Sequence, residues 1–159
     1  GGLAKWQREG RPVTAELPRF EPGTYPGKAK ASMHASLAVV EKKLKRATLI
    51  DSRAPARYRG ESEPIDPVAG RIPGAKNRFN NDNLSPDGTF KSPELLHSEF
   101  MKILSDMNPS EVIHYCGSGV AACHNALAME IAGLTGSRVY IGSWSEWSAN
   151  PARPISRSV

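Results

Sequence analysis

Cys116 and the small residues after it have the clearest chemical potential in this chain, in the run Val112-Ile113-His114-Tyr115-Cys116-Gly117-Ser118-Gly119-Val120-Ala121-Ala122-Cys123. A short apolar segment ends at a thiol. Two glycines and a serine follow, and then a long apolar stretch with helical spacing. That order predicts a strand, a tight loop and a helix, with Cys116 at the strand's end. The thiolate is the reactive form of cysteine. Small side chains let the backbone of Gly117, Ser118, Gly119, Val120 and Ala121 curl around the sulfur, so that successive N–H groups converge on it. The positive end of the following helix adds to the same field. These effects favour a negative sulfur, and equally a terminal sulfur carried on it, and Ser118 offers a further hydrogen bond. The expected chemistry is covalent, with Cys116 as the nucleophile.

The elements that must position this loop are legible from pattern. Residues 36–46 read as an amphipathic helix with Leu37, Val40 and Leu44 on one face and a basic end. Thr48-Leu49-Ile50 reads as a strand that ends at Asp51-Ser52-Arg53, and residues 59–75 as a long loop rich in Pro and Gly. A short strand is predicted over 75–79 and turns over 80–88. Ser92-Pro93-Glu94 opens a helix that runs to about Met107, with Ser92 as cap and Glu94 at the positive end. A strand over 111–115 precedes the cysteine loop. The helix over 120–134 carries Val120, Cys123, Leu127 and Ile131 on one stripe and is predicted to pack on most sides. Arg138-Val139-Tyr140-Ile141 reads as a further strand. Strands alternating with helices predict an α/β domain with a mainly parallel sheet flanked by helices. Ligands of such sheets sit beyond the carboxyl ends of the strands, where Asp51 and Cys116 both fall.

The length of 159 residues suits one compact domain with a real core, and 39% hydrophobic with 23% charged residues is ordinary for a globular protein. No apolar run approaches the roughly 20 residues that cross a bilayer, and the opening Gly1-Gly2-Leu3-Ala4-Lys5-Trp6 has no signal core. The expectation is a cytoplasmic protein without a membrane partner. The net charge of +5 is spread over Lys42, Lys43, Lys45, Arg46, Arg53, Arg57, Arg59, Arg153 and Arg157, with no nucleic-acid-binding motif around them, so no nucleic-acid partner is expected. Two cysteines make no disulfide framework. Cys123 is expected in the core, with a resolving thiol for Cys116 as the alternative. His34, His97, His114 and His124 form no recognisable ligand cluster, so neither a metal nor a cofactor is predicted.

Residues 1–30, rich in Gly, Pro and charge, read as a linker or irregular arm. The chain also echoes itself. Gly1-Gly2-Leu3-Ala4-Lys5-Trp6 with Arg11-Pro12 parallels Gly142-Ser143-Trp144-Ser145-Glu146-Trp147 with Arg153-Pro154. The simple interpretation is that the chain starts with the tail of an earlier copy of the same domain.

Cys116-Gly117-Ser118-Gly119-Val120 resembles the active-site loop of the rhodanese-type sulfurtransferases, in the form found in 3-mercaptopyruvate sulfurtransferases. Asp51-Ser52-Arg53, Arg57-Tyr58-Arg59-Gly60, Arg71-Ile72-Pro73-Gly74-Ala75 and the Gly142–Trp147 segment match the family's other motifs in order. The resemblance implies a rhodanese-like fold and a C-terminal catalytic domain of a two-domain protein. Residues 31–159 would form that domain, and residues 1–30 the interdomain linker or the tail of a preceding rhodanese-like copy. It further implies that Cys116 takes a sulfur from an anionic donor, thiosulfate or 3-mercaptopyruvate, and passes it to a thiol, a thioredoxin or cyanide. Arg57 matches the family's substrate-binding arginine, whose planar fork suits a carboxylate or sulfonate-like group. Asp51 and Arg53 match a charge pair that braces the loops.

Three departures stand out. The segment Glu63-Pro64-Ile65-Asp66-Pro67 lacks the second arginine usual in mercaptopyruvate enzymes, although the loop lacks the bulky basic residues usual in thiosulfate enzymes. Ala121 replaces a common threonine. Arg71 stands where histidine is common and could supply some of the missing charge. Two alternatives carry the same fold. One is an inactive rhodanese-like module that binds a partner. The other is a cysteine phosphatase, which needs an arginine six residues after its cysteine to clamp the phosphoryl group, where this chain has Ala122.

Overall fold

Thr48–Asp51 (β1) and Val112–Tyr115 (β3) are buried along their whole length and form the centre of the molecule. Lys76–Asn77 (β2) flanks one side and Arg138–Val139 (β4) the other, giving the order β2-β1-β3-β4 with every pairing parallel. The computed structural model describes residues 1–28, 30–44 and 48–158. Parallel strands covered on both faces read as near-continuous apolar runs, which is why β1 and β3 are visible in the sequence. β1 and β3 pair in register from Thr48 opposite Val112 to Asp51 opposite Tyr115, so Asp51 and Cys116 leave the sheet at the same edge.

The period of two sorts the side chains into two cores. Leu49, Ile113 and Tyr115 join Val40, Ile72, Trp144 and Trp147 on one face. Ile50 and Val112 join Leu96, Phe100, Leu104 and Met129 on the other. Each fully buried large side chain contributes roughly 1.5–3 kcal/mol. The first face is covered by Leu37–Lys43 (α2), Pro55–Arg59 (α3) and Ser143–Ser148 (α6), the second by Pro93–Leu104 (α4) and Val120–Ile131 (α5). Ser36 and Ser92 cap α2 and α4 by accepting from Val39 N–H and Leu95 N–H. α4 ends at Leu104, three residues before Met107, with Ser105 at φ 55° after it, and Gly133 with φ 74° follows the end of α5. Of the helix predicted over 36–46, Lys45 and Arg46 lie outside the described residues.

One expectation needs correction. Of the stripe of α5 predicted as core, three residues face outward: Val120 is 77% exposed, Leu127 51%, and Cys123 is exposed, while Ile131 packs against the core that holds Leu96 and Phe100. The buried side holds Ala122, Asn125, Ala126, Ala128 and Met129. A helix apolar on nearly every side gives no signal for which side docks. Here the alanines win because they let the helix approach the sheet, and Asn125 pins it there. Between β1 and the predicted long loop, a segment that pattern left unassigned forms a short helix. Pro55 starts the single turn of α3, and Gly60, with φ 81°, ends it. Within residues 1–30, Gly2–Arg8 forms a short exposed helix (α1). Among the described residues no helix is long and apolar enough to cross a membrane.

Candidate active site

The Cys116 loop is fastened at its base by the start of α6. The Cys116 N–H donates to Ser143 Oγ at 3.1 Å, and Ser143 Oγ donates to the Tyr140 carbonyl at 2.8 Å. The Cys116 carbonyl accepts from Trp144 N–H at 3.0 Å. The Gly117 carbonyl accepts from Ser145 N–H at 3.0 Å and from Ser145 Oγ at 2.9 Å. These contacts account for the Gly-Ser-Trp-Ser-Glu-Trp segment. Its serines hold the loop, while Trp144 and Trp147 lie fully buried in the core beneath. Gly119 is required by space as well as conformation. Its φ is +86°, and a Cβ there would stand 2.7 Å from the Ile141 carbonyl oxygen. Among the described residues no acceptor pairs with the N–H groups of Gly117, Ser118, Gly119, Val120 or Ala121. They are therefore available to a ligand, together with the N-terminal end of the three-turn helix α5.

Cys116 is only 3% exposed, yet it lines a cavity of about 360 Å³ together with Arg57, Gly117, Ser118 and Phe79. The thiol is thus neither sealed in the core nor spread on the surface. Ser118 is exposed at the rim, and Ala121 sits half-buried on the first turn of α5.

Asp51, Arg53 and Arg57 meet in one cluster beside the loop. Arg53 grips Asp51 through Nε at 3.0 Å and Nη2 at 2.7 Å, and also donates to the Gly70 carbonyl at 2.7 Å. Its guanidinium lies 4.9 Å over the Trp144 ring. Burial opposes the charge of Arg53, but the hydrogen bond and charge of Asp51, with further help from Glu63, more than offset it and raise the Arg53 pKa. Arg57, on α3, lies across the mouth of the loop. A Cβ on Gly117 would stand 3.4 Å from its Nη2 and 3.5 Å from its Nη1, so the end of the guanidinium faces the cysteine loop.

Sequence reasoning treated Glu63 and Asp66 only as places where an arginine is missing. Both fold back onto the cluster. Glu63 binds Arg57 Nη2 at 2.5 Å and Nε at 3.2 Å, and its Oε2 also accepts from Arg53 Nη1 at 3.1 Å. Asp66 Oδ2 lies 3.7 Å from Arg57 Nη2. Burial opposes the charge on Glu63, but the Arg57 hydrogen bonds and the Asp66 and Ile65 N–H groups hold it below the ordinary carboxylate range. Acids at six and nine residues past Arg57, in a proline-kinked loop, were the available signal. Arg71 lies away from the cavity, stacked 4.5 Å over Tyr58 and bonded to Ser158. A second unforeseen feature is Asn125, which ties α5 to Ser52 Oγ and to the Arg78 carbonyl, each at 2.8 Å.

Residues 36–150 match the family model described as rhodanese-like domain. A protein of Pseudomonas aeruginosa named as a probable 3-mercaptopyruvate sulfurtransferase is 45% identical over 98% of this chain and 55% of its own length. The thiosulfate sulfurtransferase of Mus musculus is 40% identical over 92% of this chain and 51% of its own. This chain therefore spans about half the length of the relatives it matches. Among solved structures, the anaerobic ergothioneine biosynthesis enzyme of Chlorobium limicola superposes with a TM-score of 0.83 at 22% identity, over 99% of this chain and 40% of its own, which shows the shared fold. By its sheet, its loop and its relatives, the chain belongs to the rhodanese-like domain family.

Proposed function

We propose that this domain is a sulfurtransferase that carries a sulfane sulfur on Cys116 between an anionic donor and a thiol, thioredoxin or cyanide acceptor. The observation that carries the reading is the placement of the Cys116 thiol. Cys116 lines a cavity with Arg57, the end of whose guanidinium faces Gly117, and with Gly117, Ser118, Val120 and Ala121, whose N–H groups have no acceptor among the described residues. Relatives named for both 3-mercaptopyruvate and thiosulfate support the same chemistry.

The thiolate of Cys116 attacks the donor's sulfur. With thiosulfate the S–S bond breaks, sulfite leaves with the bonding pair, and the outer sulfur stays as a persulfide. With 3-mercaptopyruvate the C–S bond breaks, and the pyruvate enolate leaves and takes up the proton that the donor thiol carried. In the second half an acceptor such as cyanide attacks the outer sulfur and departs as thiocyanate, and the Cys116 thiolate is restored. Splitting the transfer this way is nucleophilic catalysis. The role of Gly117, Ser118, Gly119, Val120 and Ala121 is to hold the negative charge of thiolate and persulfide against amide dipoles. The role of Arg57 is to bind the donor's anionic group, and that of Asp51 and Arg53 is to brace the loops.

The reading includes a preceding rhodanese-like domain in the same protein. Support comes from the internal echo, which extends to contacts. Trp147 Nε1 donates to the Pro154 carbonyl at 3.0 Å with Arg153 over its ring. Trp6 Nε1 donates to the Pro12 carbonyl at 2.8 Å with Arg11 over its ring. Trp147 is fully buried and Trp6 is 44% exposed, as expected if the body that α1 belongs to is the preceding copy. On this reading the free thiols work in a reducing compartment such as the cytoplasm.

Intact-mass analysis after incubation with either donor tests the reading. One added sulfur is expected, to be removed by cyanide, retained in Cys123→Ser and absent in Cys116→Ser. A Cys116→Ser variant that still gains the sulfur would refute the assignment.

A further inference from the structure

The sulfurtransferase reading leaves open how the site treats donors of different charge, and the inference below rests on it. A guanidinium has two edges that can take an anion in a bidentate fashion. In Arg57 the side edge, Nε with Nη2, is filled by Glu63. The end edge, Nη1 with Nη2, faces the cysteine loop. The Glu63 side chain is 3% exposed and that of Asp66 is 9%, so neither is a surface group swung in by accident. Asp66 Oδ2 is buried without any hydrogen-bond partner, yet close to Arg57. The cluster thus holds Asp51, Glu63 and Asp66 against Arg53 and Arg57, one carboxylate in excess. The only cations on the cavity wall among the described residues are these two arginines.

We propose that Glu63, seconded by Asp66, is a specificity-determining residue that balances the charge of Arg57 and turns the site toward singly charged sulfur donors. 3-Mercaptopyruvate carries one negative charge at neutral pH and thiosulfate carries two. Both must dock beside the thiolate of Cys116, on an arginine edge whose charge is already met. The Coulomb energy scales with the donor's charge, so the penalty set by Glu63 is twice as large in logarithmic terms for the dianion. Glu63 therefore does what the missing second arginine does not: it separates the two donors by charge instead of by a further carboxylate contact. Gly117 belongs to the same device, because a Cβ there would come into contact with both nitrogens of the end edge, at 3.4 and 3.5 Å, and glycine leaves that space free.

The test uses the full-length protein and the variants Glu63→Gln, Asp66→Asn and Glu63→Asp. For one charge acting from a neighbouring side chain through partly solvated protein, Glu63→Gln is expected to raise kcat/KM about fivefold for 3-mercaptopyruvate and about 25-fold for thiosulfate. The donor ratio then moves about fivefold toward thiosulfate. Asp66→Asn, which breaks no hydrogen bond, shifts the ratio the same way by less, and Glu63→Asp leaves it in place. A packing role alone would lower both donors equally. The second readout is alkylation of Cys116 by negatively charged iodoacetate against neutral iodoacetamide, resolved by peptide mass from Cys123. Their rate ratio rises several-fold in both charge-removing variants. Donor and alkylation ratios unchanged in both variants, or shifted the other way, overturn the proposal. If the unaltered protein takes sulfur from neither donor, the sulfurtransferase reading fails on its own, and the alkylation ratio still decides the charge argument.

Discussion

Arg53→Met tests whether the charge cluster is a structural necessity of the site or an ornament beside it. The Arg53 side chain is 1% exposed and Asp51 is 0%, so the substitution leaves a buried carboxylate facing a thioether. It removes hydrogen bonds to both Asp51 oxygens, to Glu63 and to the Gly70 carbonyl. Methionine fills much of the volume, so the loss is electrostatic more than steric. Breaking one partner of a buried pair costs about 3–5 kcal/mol because the other charge is stranded. On a total stability of about 5–15 kcal/mol that leaves a folded but weakened domain. With a urea m-value of about 2 kcal/mol/M, the midpoint falls by about 1.5–2.5 M. At about 2–4 °C per kcal/mol for a domain of this size, the Tm falls by about 6–20 °C. The Trp144 indole under the Arg53 guanidinium provides a fluorescence signal for the urea titration. Adding Asp51→Asn to Arg53→Met should return at least half of the loss, since the stranded charge is then gone. A loss below about 1 kcal/mol at unchanged m, or no recovery in the double variant, would show that the pair is solvated in practice and that the bracing argument is wrong.

Two further predictions follow from single positions. Gly119→Ala places a Cβ 2.7 Å from the Ile141 carbonyl on a backbone with φ +86°. The conformational cost of about 1–2 kcal/mol plus the overlap should destabilise the fold by about 2–4 kcal/mol and slow sulfur loading of Cys116. Urea unfolding within about 0.5 kcal/mol of the unaltered protein would contradict this. His114 is fully buried on β3, and burial pushes its pKa down to about 3. The unfolded chain protonates near pH 6.5, so between there and pH 3 it binds more protons than the folded state, and stability falls as the pH falls. By pH 4.5 the loss is about 2–3 kcal/mol. His114→Leu should lack this limb in a comparison of stability from pH 7 to 4.5, and parallel curves for the two proteins would exclude His114 as the cause.

Much of the site was legible because its signals are local. Cys116 at the end of an apolar run, the glycines after it and the capping Ser92-Pro93 each act over a few residues. The α/β order and the meeting of Asp51 and Cys116 at one sheet edge follow from alternating patterns and from parallel pairing. The errors arose where local pattern is silent. On α5 most of the hydrophobic stripe pointed outward, because nearly every face of that helix is apolar and the closest approach to the sheet belonged to alanine and Asn125. Glu63 and Asp66 lie six and nine residues from Arg57, with two prolines in the loop that brings them back. The partners of a charge across such a loop depend on where the chain turns in space.

Side-chain size, glycine freedom and short-range periodicity act locally, and they were enough to single out Cys116 as the candidate nucleophile, the loop around it and the class of sheet that presents it. Which edge of Arg57 stays open, and how much of its charge is already met, came only with the packed chain. Charge balance in a buried cluster is set by distance and burial together, and neither quantity exists until distant segments of the chain have packed against one another.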